Sequence, residues 1–492
     1  MTHTVKLVAN EGVFKGLAKQ NLLFHQCLCE LIDNSIAAKK ENEKFRIDVV
    51  FTKNQAREDV VDLYVTDNGR GMELEILKNA LQLGHPPSTT SRLNEHGFGL
   101  KNSLATLSSG NGYWKLWTKP LTETTIYSVE GPFKTEMLIQ ENEPFPKEDF
   151  LPADISTLVK VTIKLSFLQS VQGRGAPSKD LNTLRKWLIE HLGVLYRGYL
   201  EQDDETFDNS GVIVVSIDAN SIQVPPITVP IAKMETKYLK VELEGENYSI
   251  TYRYGSLDEV KRDRLVRAEK AKFYYQKNMS SLGIDIRLGK RVIATRQFEV
   301  IWKTTDGNEQ LSRHPNYNDF VGELLIPELP RGVLSTVNNK TDFNLDAPDW
   351  VKIFNELNTI RPPEKIREKS ETALRKRWIE MLKATNPDDE VSDEISVWPT
   401  GTRIDVYRKT VDGKIIIYEL KVGNGSPLHL YQLKMYWDGL IVQAKQPKEA
   451  LLLVEEFSTA LEEMANEMNG LTPPKNSKPY NFKIGRLKDR GL

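Results

Sequence analysis

Cysteine is nearly absent: Cys27 and Cys29 are the only two in 492 residues. Two apart in a helical stretch, they point in different directions and do not easily bridge each other. That argues against a disulfide scaffold, and both read as buried thiols in a reducing cytoplasm. Histidine is scarce too, and its seven residues are too scattered for a structural zinc site. There is no run of roughly 18 apolar residues and no basic-apolar signal at the start, so neither a membrane span nor secretion is expected. An excess of one charge is also missing. A formal net charge of -2 advertises no nucleic acid globally and leaves room for local patches only. At this length one hydrophobic core does not suffice, and roughly two to four domains are expected.

What is present begins near the amino-terminal end. From Gly16 to Lys40 apolar residues recur at three and four, which predicts one long helix. Glu30 and Asn34 share a face of it amid Leu28, Leu31, Ile32, Ile36 and Ala37. Two readings stand: a capping or salt-bridge pair at a helix edge, or a carboxylate that orients water beside an amide oxygen that holds Mg²⁺. The segments "KFRIDVV" and "VDLYVTD" predict strands, the second ending at Asp67. Asn68-Gly69-Arg70-Gly71 is then a tight turn whose glycines allow close backbone approach. Asp67 either opens a hairpin or accepts from an exocyclic adenine amine. Residues 81 to 94 lack periodicity and read as a mobile loop. Gly97 and Gly99, around Phe98, open a helix from Leu100, a ready phosphate site to which Lys101 could add a charge. Ser156 to Leu165 alternates as a strand, in which the Thr157 hydroxyl is a candidate to reach the base region.

In this order the four pieces resemble the GHKL ATPase superfamily, shared by type II topoisomerases, MutL, the ninety-kilodalton heat-shock chaperone and the Microrchidia proteins. The motifs stand here as Glu30-Leu31-Ile32-Asp33-Asn34, Asp67-Asn68-Gly69-Arg70-Gly71, His96-Gly97-Phe98-Gly99-Leu100-Lys101 and Ser156-Thr157. The first glycine of the family's lid ending is absent, with Asn94 or Glu95 near its place. The resemblance implies ATP with Mg²⁺, Glu30 as general base, Asn34 as the Mg²⁺ ligand, Asp67 as adenine reader and Gly97 to Lys101 as phosphate cradle. It also implies a Bergerat α/β sandwich over residues 1–175.

Farther on, Ser178 to Leu200 reads as an amphipathic helix. Strands are expected at Gly211 to Ala219, Leu239 to Tyr252 and Gly283 to Phe298. With Phe320 to Phe343, this stretch looks like the β-rich transducer domain of the same relatives, over 176–360. Asn339-Lys340-Thr341-Asp342-Phe343 matches its loop, so the resemblance makes Lys340 the residue that reaches the γ-phosphate, where a cation favours the transition state. An exposed loop lysine is the other reading. Relatives close ATP modules into a twofold clamp, which implies a homodimer here, with Met1 to Gly16 as its strap.

Residues 361–492 carry a charged helix, Glu364 to Ala384, and the acidic segment "TNPDDEVSDE", read as a boundary. A hairpin follows about Asp412-Gly413. A turn centred there pairs 405 with 420, leaving Asp405 near Glu419, while Glu419 and Lys421 share a face. Adjacent carboxylates repel unless a cation lies between them, and Mg²⁺ or Mn²⁺ suits such oxygens. A neighbouring ammonium would help position hydroxide. The set is similar to the PD-(D/E)xK nucleases, with Asp405, Glu419-Leu420-Lys421 and Gln432 on the next helix, and Glu371 as a further candidate metal ligand. It implies a restriction-endonuclease-like α/β domain, in an α+β multidomain chain. A charged surface hairpin is the alternative. The final 22 residues hold six Lys/Arg and one Asp, read either as a patch for nucleic acid backbone or as a solvated tail. The expected function is an ATP-hydrolysing dimeric clamp that gates metal-dependent DNA cleavage in prokaryotic antiphage defence or DNA processing. A Microrchidia-like DNA-bridging clamp whose last domain does not cut, or a chaperone-like clamp on protein, are the alternatives.

Overall fold

The computed structural model describes residues 11–19, 22–82, 93, 97–169, 181–200, 211–265, 273–302, 311, 313–330, 332–334, 347–363 and 371–492. The chain forms two compact units, Met1–Lys365 and Ile366–Leu492.

In the first unit, eight described strands form one sheet: β1 (Arg46–Lys53), β2 (Val60–Asp67), β3 (Trp114–Thr118), β4 (Tyr127–Glu130), β5 (Ile139–Glu141), β6 (Thr157–Lys164), β7 (Val212–Ile217) and β8 (Asn220–Gln223), in the order β5-β4-β3-β6-β2-β1-β7-β8. Alternation along β2 explains its placement. Val61, Leu63 and Val65 face a layer of helices, while Tyr64 faces the other side with Trp117 and Leu158. The described helices here are α1 (Glu11–Leu17), α2 (Phe24–Ala37), α3 (Leu74–Leu81), α4 (Gly99–Leu107), α5 (Leu165–Gln169), α6 (Leu181–Leu195) and α7 (Arg197–Leu200). Leu28, Leu31 and Ile32 of α2, Leu104 of α4 and Leu188 and Leu192 of α6 supply the apolar layer.

A second sheet, in the order β12-β11-β13-β10-β9, is built from β9 (Ile231–Leu243), β10 (Glu246–Leu257), β11 (Gly283–Leu288), β12 (Arg291–Gln297) and β13 (Phe320–Ile326). Helix α8 (Glu259–Leu265) follows β10, and α9 (Pro348–Asn358) adds Trp350, Ile353, Phe354 and Leu357 to this sheet's core.

Three expectations need correction. The helix predicted from Gly16 to Lys40 is two helices; α2 starts only at Phe24, where Gln26 Oε1 accepts from the Leu23 N–H at 2.8 Å. The strand expected from Leu239 to Tyr252 is the middle of a hairpin, because Glu244 (φ 49°) and Gly245 (φ 86°) both take the left-handed conformation that a two-residue hairpin turn requires. The boundary expected at 175 divides the first sheet: β7 lies parallel to β1, Ile47 opposite Ile213, and the long crossover that parallel pairing needs runs through α6.

The second unit holds α10 (Glu371–Thr385), β14 (Glu390–Ser396), β15 (Arg403–Lys409), β16 (Ile415–Leu420), α11 (Pro427–Val442), β17 (Pro447–Val454), α12 (Thr459–Asn469) and β18 (Phe482–Arg486). The strands pair in chain order, antiparallel from β14 to β16 and parallel from β16 to β18. Leu374 and Trp378 of α10 pack with Val406, Tyr418 and Leu420; Leu433 and Trp437 of α11 pack with Ile404 and Ile417. The acidic segment read as a boundary is thus partly strand β14. The basic tail is partly strand β18, and Lys483, Arg486 and Lys488 are paired with Glu449 and Glu456. Half of its six cations are therefore neutralised locally, which weakens the reading of the tail as a phosphate-binding patch. No helix among the described residues is long and apolar enough to cross a membrane.

Candidate functional site

A cavity of about 330 Å³ opens between the end of α2, the turn after β2 and the start of α4. Asp67 continues the helix-facing row of β2, so a carboxylate occupies what alternation would make an apolar position. It is 6% exposed. Ser35 Oγ donates to one oxygen at 3.0 Å and the Gly69 N–H to the other at 2.9 Å. Burial outweighs these donors and pushes its pKa up to about 6. Thr157 stands opposite Asp67 on β6, and Thr118 opposite Thr157 on β3, which sets three polar side chains in a row across neighbouring strands. Thr118 Oγ1 lies 3.4 Å from Thr157 Oγ1 and accepts from the Met72 N–H at 2.8 Å. Ser35 and Thr118 escaped sequence reading. Ser35 directly follows the Glu30–Asn34 motif, and Thr118 ends a strand, "WKLWT", that carried no recognised motif.

The glycines here are required by contact. A Cβ on Gly69 would meet Ala38 O at 2.6 Å, and one on Gly71, at φ +65°, would meet Lys119 O at 2.0 Å. The turn is thereby closed onto the end of α2, where the Arg70 N–H donates to Ala38 O at 2.8 Å. Asn34, Gly97, Gly99 and Leu100 line the cavity together with Asp67, Gly71 and Thr157. Glu30 sits behind Gly99, 5% exposed, with Oε2 only 2.1 Å from where a Gly99 Cβ would stand. Phe98 caps α4. Lys101 departs from its expected role as a phosphate-facing charge. It is 2% exposed and donates to Ala80 O at 2.7 Å, and burial lowers its pKa to about 8. Lys340, the strap residues before Glu11 and most of the 81–94 loop lie outside the described residues.

These features fit a nucleotide. The volume lies in the range of ligand pockets, roughly 300–1,000 Å³. The wall carries one buried acceptor, Asp67, and the start of a helix at Gly99 and Leu100, where backbone N–H groups commonly bind phosphate. Asn34, on the cavity wall, is placed to offer an amide oxygen to a cation accompanying phosphates.

The second unit brings together most of its own candidates. Val406 pairs with Tyr418, which puts Asp405 opposite Glu419, one residue from the expected register. The reason is the loop: Thr410 and Lys414 close it, and Gly413 takes φ +77°, so three residues turn the chain instead of two. Asp405 Oδ2 accepts from the Leu420 N–H at 3.0 Å. Glu419 is 1% exposed, and burial, reinforced by Asp405, pushes its pKa up to about 7. Lys421 Nζ lies 3.0 Å from Glu419 Oε1 and 2.9 Å from Glu371 Oε2. Glu371 therefore holds the lysine here, whereas sequence reading offered it as a metal ligand. Gln432 on α11 carries a buried Oε1 without a hydrogen-bond partner. Tyr436, one turn on and read from sequence as packing, has its phenol pushed up by burial and by Glu419 and Asp405. Among the described residues no group of three or more His, Cys, Asp or Glu is arranged to hold a metal ion. A Mg²⁺ site needs less, since that ion often keeps several waters and takes one or two carboxylates. Asp405 and Glu419 fit that donor set.

Residues 22–148 match the family model described as "Histidine kinase-, DNA gyrase B-, and HSP90-like ATPase". The amino-terminal region is therefore a GHKL-type ATPase domain, which supports ATP binding and hydrolysis. Solved structures similar to the chain include the N-terminal domain of a DNA repair protein, at 14% identity over 72% of this chain and 97% of that one, with a TM-score of 0.38. The Aquifex aeolicus MutL ATPase domain complexed with ADP is 13% identical over 65% of this chain and 92% of its own, with a TM-score of 0.28. The ATPase region of Saccharomyces cerevisiae topoisomerase II is 12% identical over 68% and 82%, with a TM-score of 0.33. No curated protein matches the sequence.

Proposed function

We propose that the protein hydrolyses ATP in the amino-terminal cavity and uses that cycle to gate metal-dependent phosphodiester cleavage of DNA by its carboxy-terminal unit. The observation that carries the nucleotide half is Asp67, a buried carboxylate presented to a cavity whose turn tolerates no Cβ at Gly69 or Gly71. Its ionised oxygen accepts from the adenine amine while Thr157 flanks the base. Backbone N–H groups from Gly97 to Leu100 receive the phosphates, and Glu30, behind Gly99, accepts a proton from the attacking water. Mg²⁺ bound at Asn34 would neutralise phosphate charge. Lys340 is the candidate for the γ-phosphate, and pairing of two copies through their ATP modules is part of this reading.

Support for the nuclease half comes from Asp405 and Glu419, brought opposite each other with Lys421 at 3.0 Å. Two carboxylates kept this close in a buried setting favour a cation between them. A divalent ion there would offset charge on the scissile phosphate. Lys421 is placed to steady the incoming hydroxide, and Gln432 to orient the substrate. One observation favours a second reading, a DNA-bridging clamp that does not cut: Lys421 is held between two carboxylates, with no three-ligand cluster among the described residues.

The test is cleavage of supercoiled and linear DNA with Mg²⁺ or Mn²⁺, with and without ATP, by wild type, Lys421→Ala and Glu30→Ala, alongside phosphate release. Cutting lost in Lys421→Ala supports the nuclease, and its response in Glu30→Ala reports the gating. ATP-dependent DNA retention without cutting by any protein moves the reading to the bridging clamp.

A further inference from the structure

Helix α2 has a second polar face that the nucleotide cavity does not use. Asp33, beside Asn34 and one turn from Glu30, is 1% exposed and points away from the cavity. Its Oδ1 accepts from Arg291 Nε at 3.0 Å and from the Tyr196 hydroxyl at 2.8 Å. Arg291 opens β12 in the second sheet, Tyr196 lies between α6 and α7, and the guanidinium stacks over the Tyr196 ring at 4.4 Å. Tyr196 also lies within 3.0 Å of Cys29 O on α2.

A fully buried ion pair is a poor stabiliser, because desolvation offsets most of the attraction and an apolar pair of similar volume often does as well. What it supplies is a fixed relation between the groups it joins. Here those groups are the helix that carries Glu30 and Asn34 and the edge strand of the second sheet. The two hydrogen bonds on Asp33 and the stacked ring fix the rotation of α2 about its axis, and a helix that cannot rotate keeps Glu30 behind Gly99.

We propose that Asp33, held by Arg291 and Tyr196, is a positioning residue that couples the nucleotide cavity to the second sheet. It acts in both directions: the sheet sets where Glu30 and Asn34 stand, and nucleotide on α2 restrains β12. This inference rests on the cavity binding ATP.

The experiment uses the full chain and compares wild type with Asp33→Asn, Arg291→Met, Tyr196→Phe and the double variant Asp33→Asn/Arg291→Met. Steady-state ATP turnover is measured together with hydrogen exchange of Arg291 to Gln297, with and without a non-hydrolysable ATP analogue. A displacement of about 1 Å at a catalytic group costs up to roughly 100-fold in rate. Asp33→Asn and Arg291→Met are therefore expected to lower kcat about 10- to 100-fold with KM for ATP within about threefold, and the double variant to be no worse than either single. The analogue slows exchange in β12 of wild type and leaves it unchanged in Asp33→Asn. Tyr196→Phe, which removes a single hydrogen bond, gives a smaller loss of the same kind and keeps the test open where a charge variant does not fold. Turnover in folded Asp33→Asn equal to wild type, or β12 exchange indifferent to the analogue in wild type, overturns the inference. A wild type that neither binds nor hydrolyses ATP overturns the nucleotide reading itself.

Discussion

Replacing Gly99 with alanine tests the placement of Glu30 with one methyl group. The added Cβ would stand 2.1 Å from Glu30 Oε2. Carbon and oxygen tolerate roughly 3.3 Å, so the carboxylate must retreat by about 1.2 Å. Glu30 is buried, and its retreat forces an off-rotamer side chain at a cost of about 0.5–1.5 kcal/mol. Alanine as the first residue of α4 offsets part of this, by less than the roughly 1 kcal/mol that the exchange is worth in a helix interior. Net stability should therefore stay within about 1 kcal/mol of wild type while a displacement of that size lowers kcat roughly 100-fold. Phosphate release at saturating ATP reads kcat, thermal melting checks the fold, and a fluorescent nucleotide reads affinity, which should hold within about threefold. Gly99→Ala should add nothing to a Glu30→Gln background, since both act on one carboxylate. Undiminished turnover in a folded Gly99→Ala protein would refute the placement of Glu30 as the group that activates water.

Burial raises the Asp67 pKa from 3.8 to about 6, so between those values the native state keeps a proton that the unfolded chain has released. Stability of the nucleotide-free protein should fall as pH rises through that window, by about 3 kcal/mol, and Asp67→Asn should flatten the slope. Denaturant titrations from pH 4 to 7 check this, and identical slopes in the two proteins would be fatal to it. In the second unit, Mg²⁺ at about ten times its Kd should stabilise wild type by about 1.4 kcal/mol and leave Glu419→Gln unmoved. Equal shifts in a melt of both proteins would place the ion elsewhere.

Strand β2 was legible because its helix-facing row, Val61, Leu63 and Val65, alternates cleanly up to the one carboxylate that breaks the pattern. The turn after it was legible because only glycine fits at 69 and 71. Ser35 and Thr118 were not, since what makes them part of the site is strand pairing and helix packing between segments 32 to 46 residues apart. Lys101 failed for a similar reason: a lysine near a helix start reads as a phosphate ligand, and the Ala80 carbonyl that takes it comes from another helix. Asp33 sat in plain view inside a recognised motif. Its partner lies 258 residues away, beyond the reach of any local pattern.

The parallel pairing of β1 with β7 bears on how the ATPase domain can be isolated. A fragment ended at residue 175 would leave Arg46 to Phe51 as a bare edge, with the apolar Ile47, Val49 and Phe51 beside it, a template for strand-to-strand aggregation. Carrying the fragment past Gln223, so that β7 and β8 cover that edge, is the cut the sheet permits.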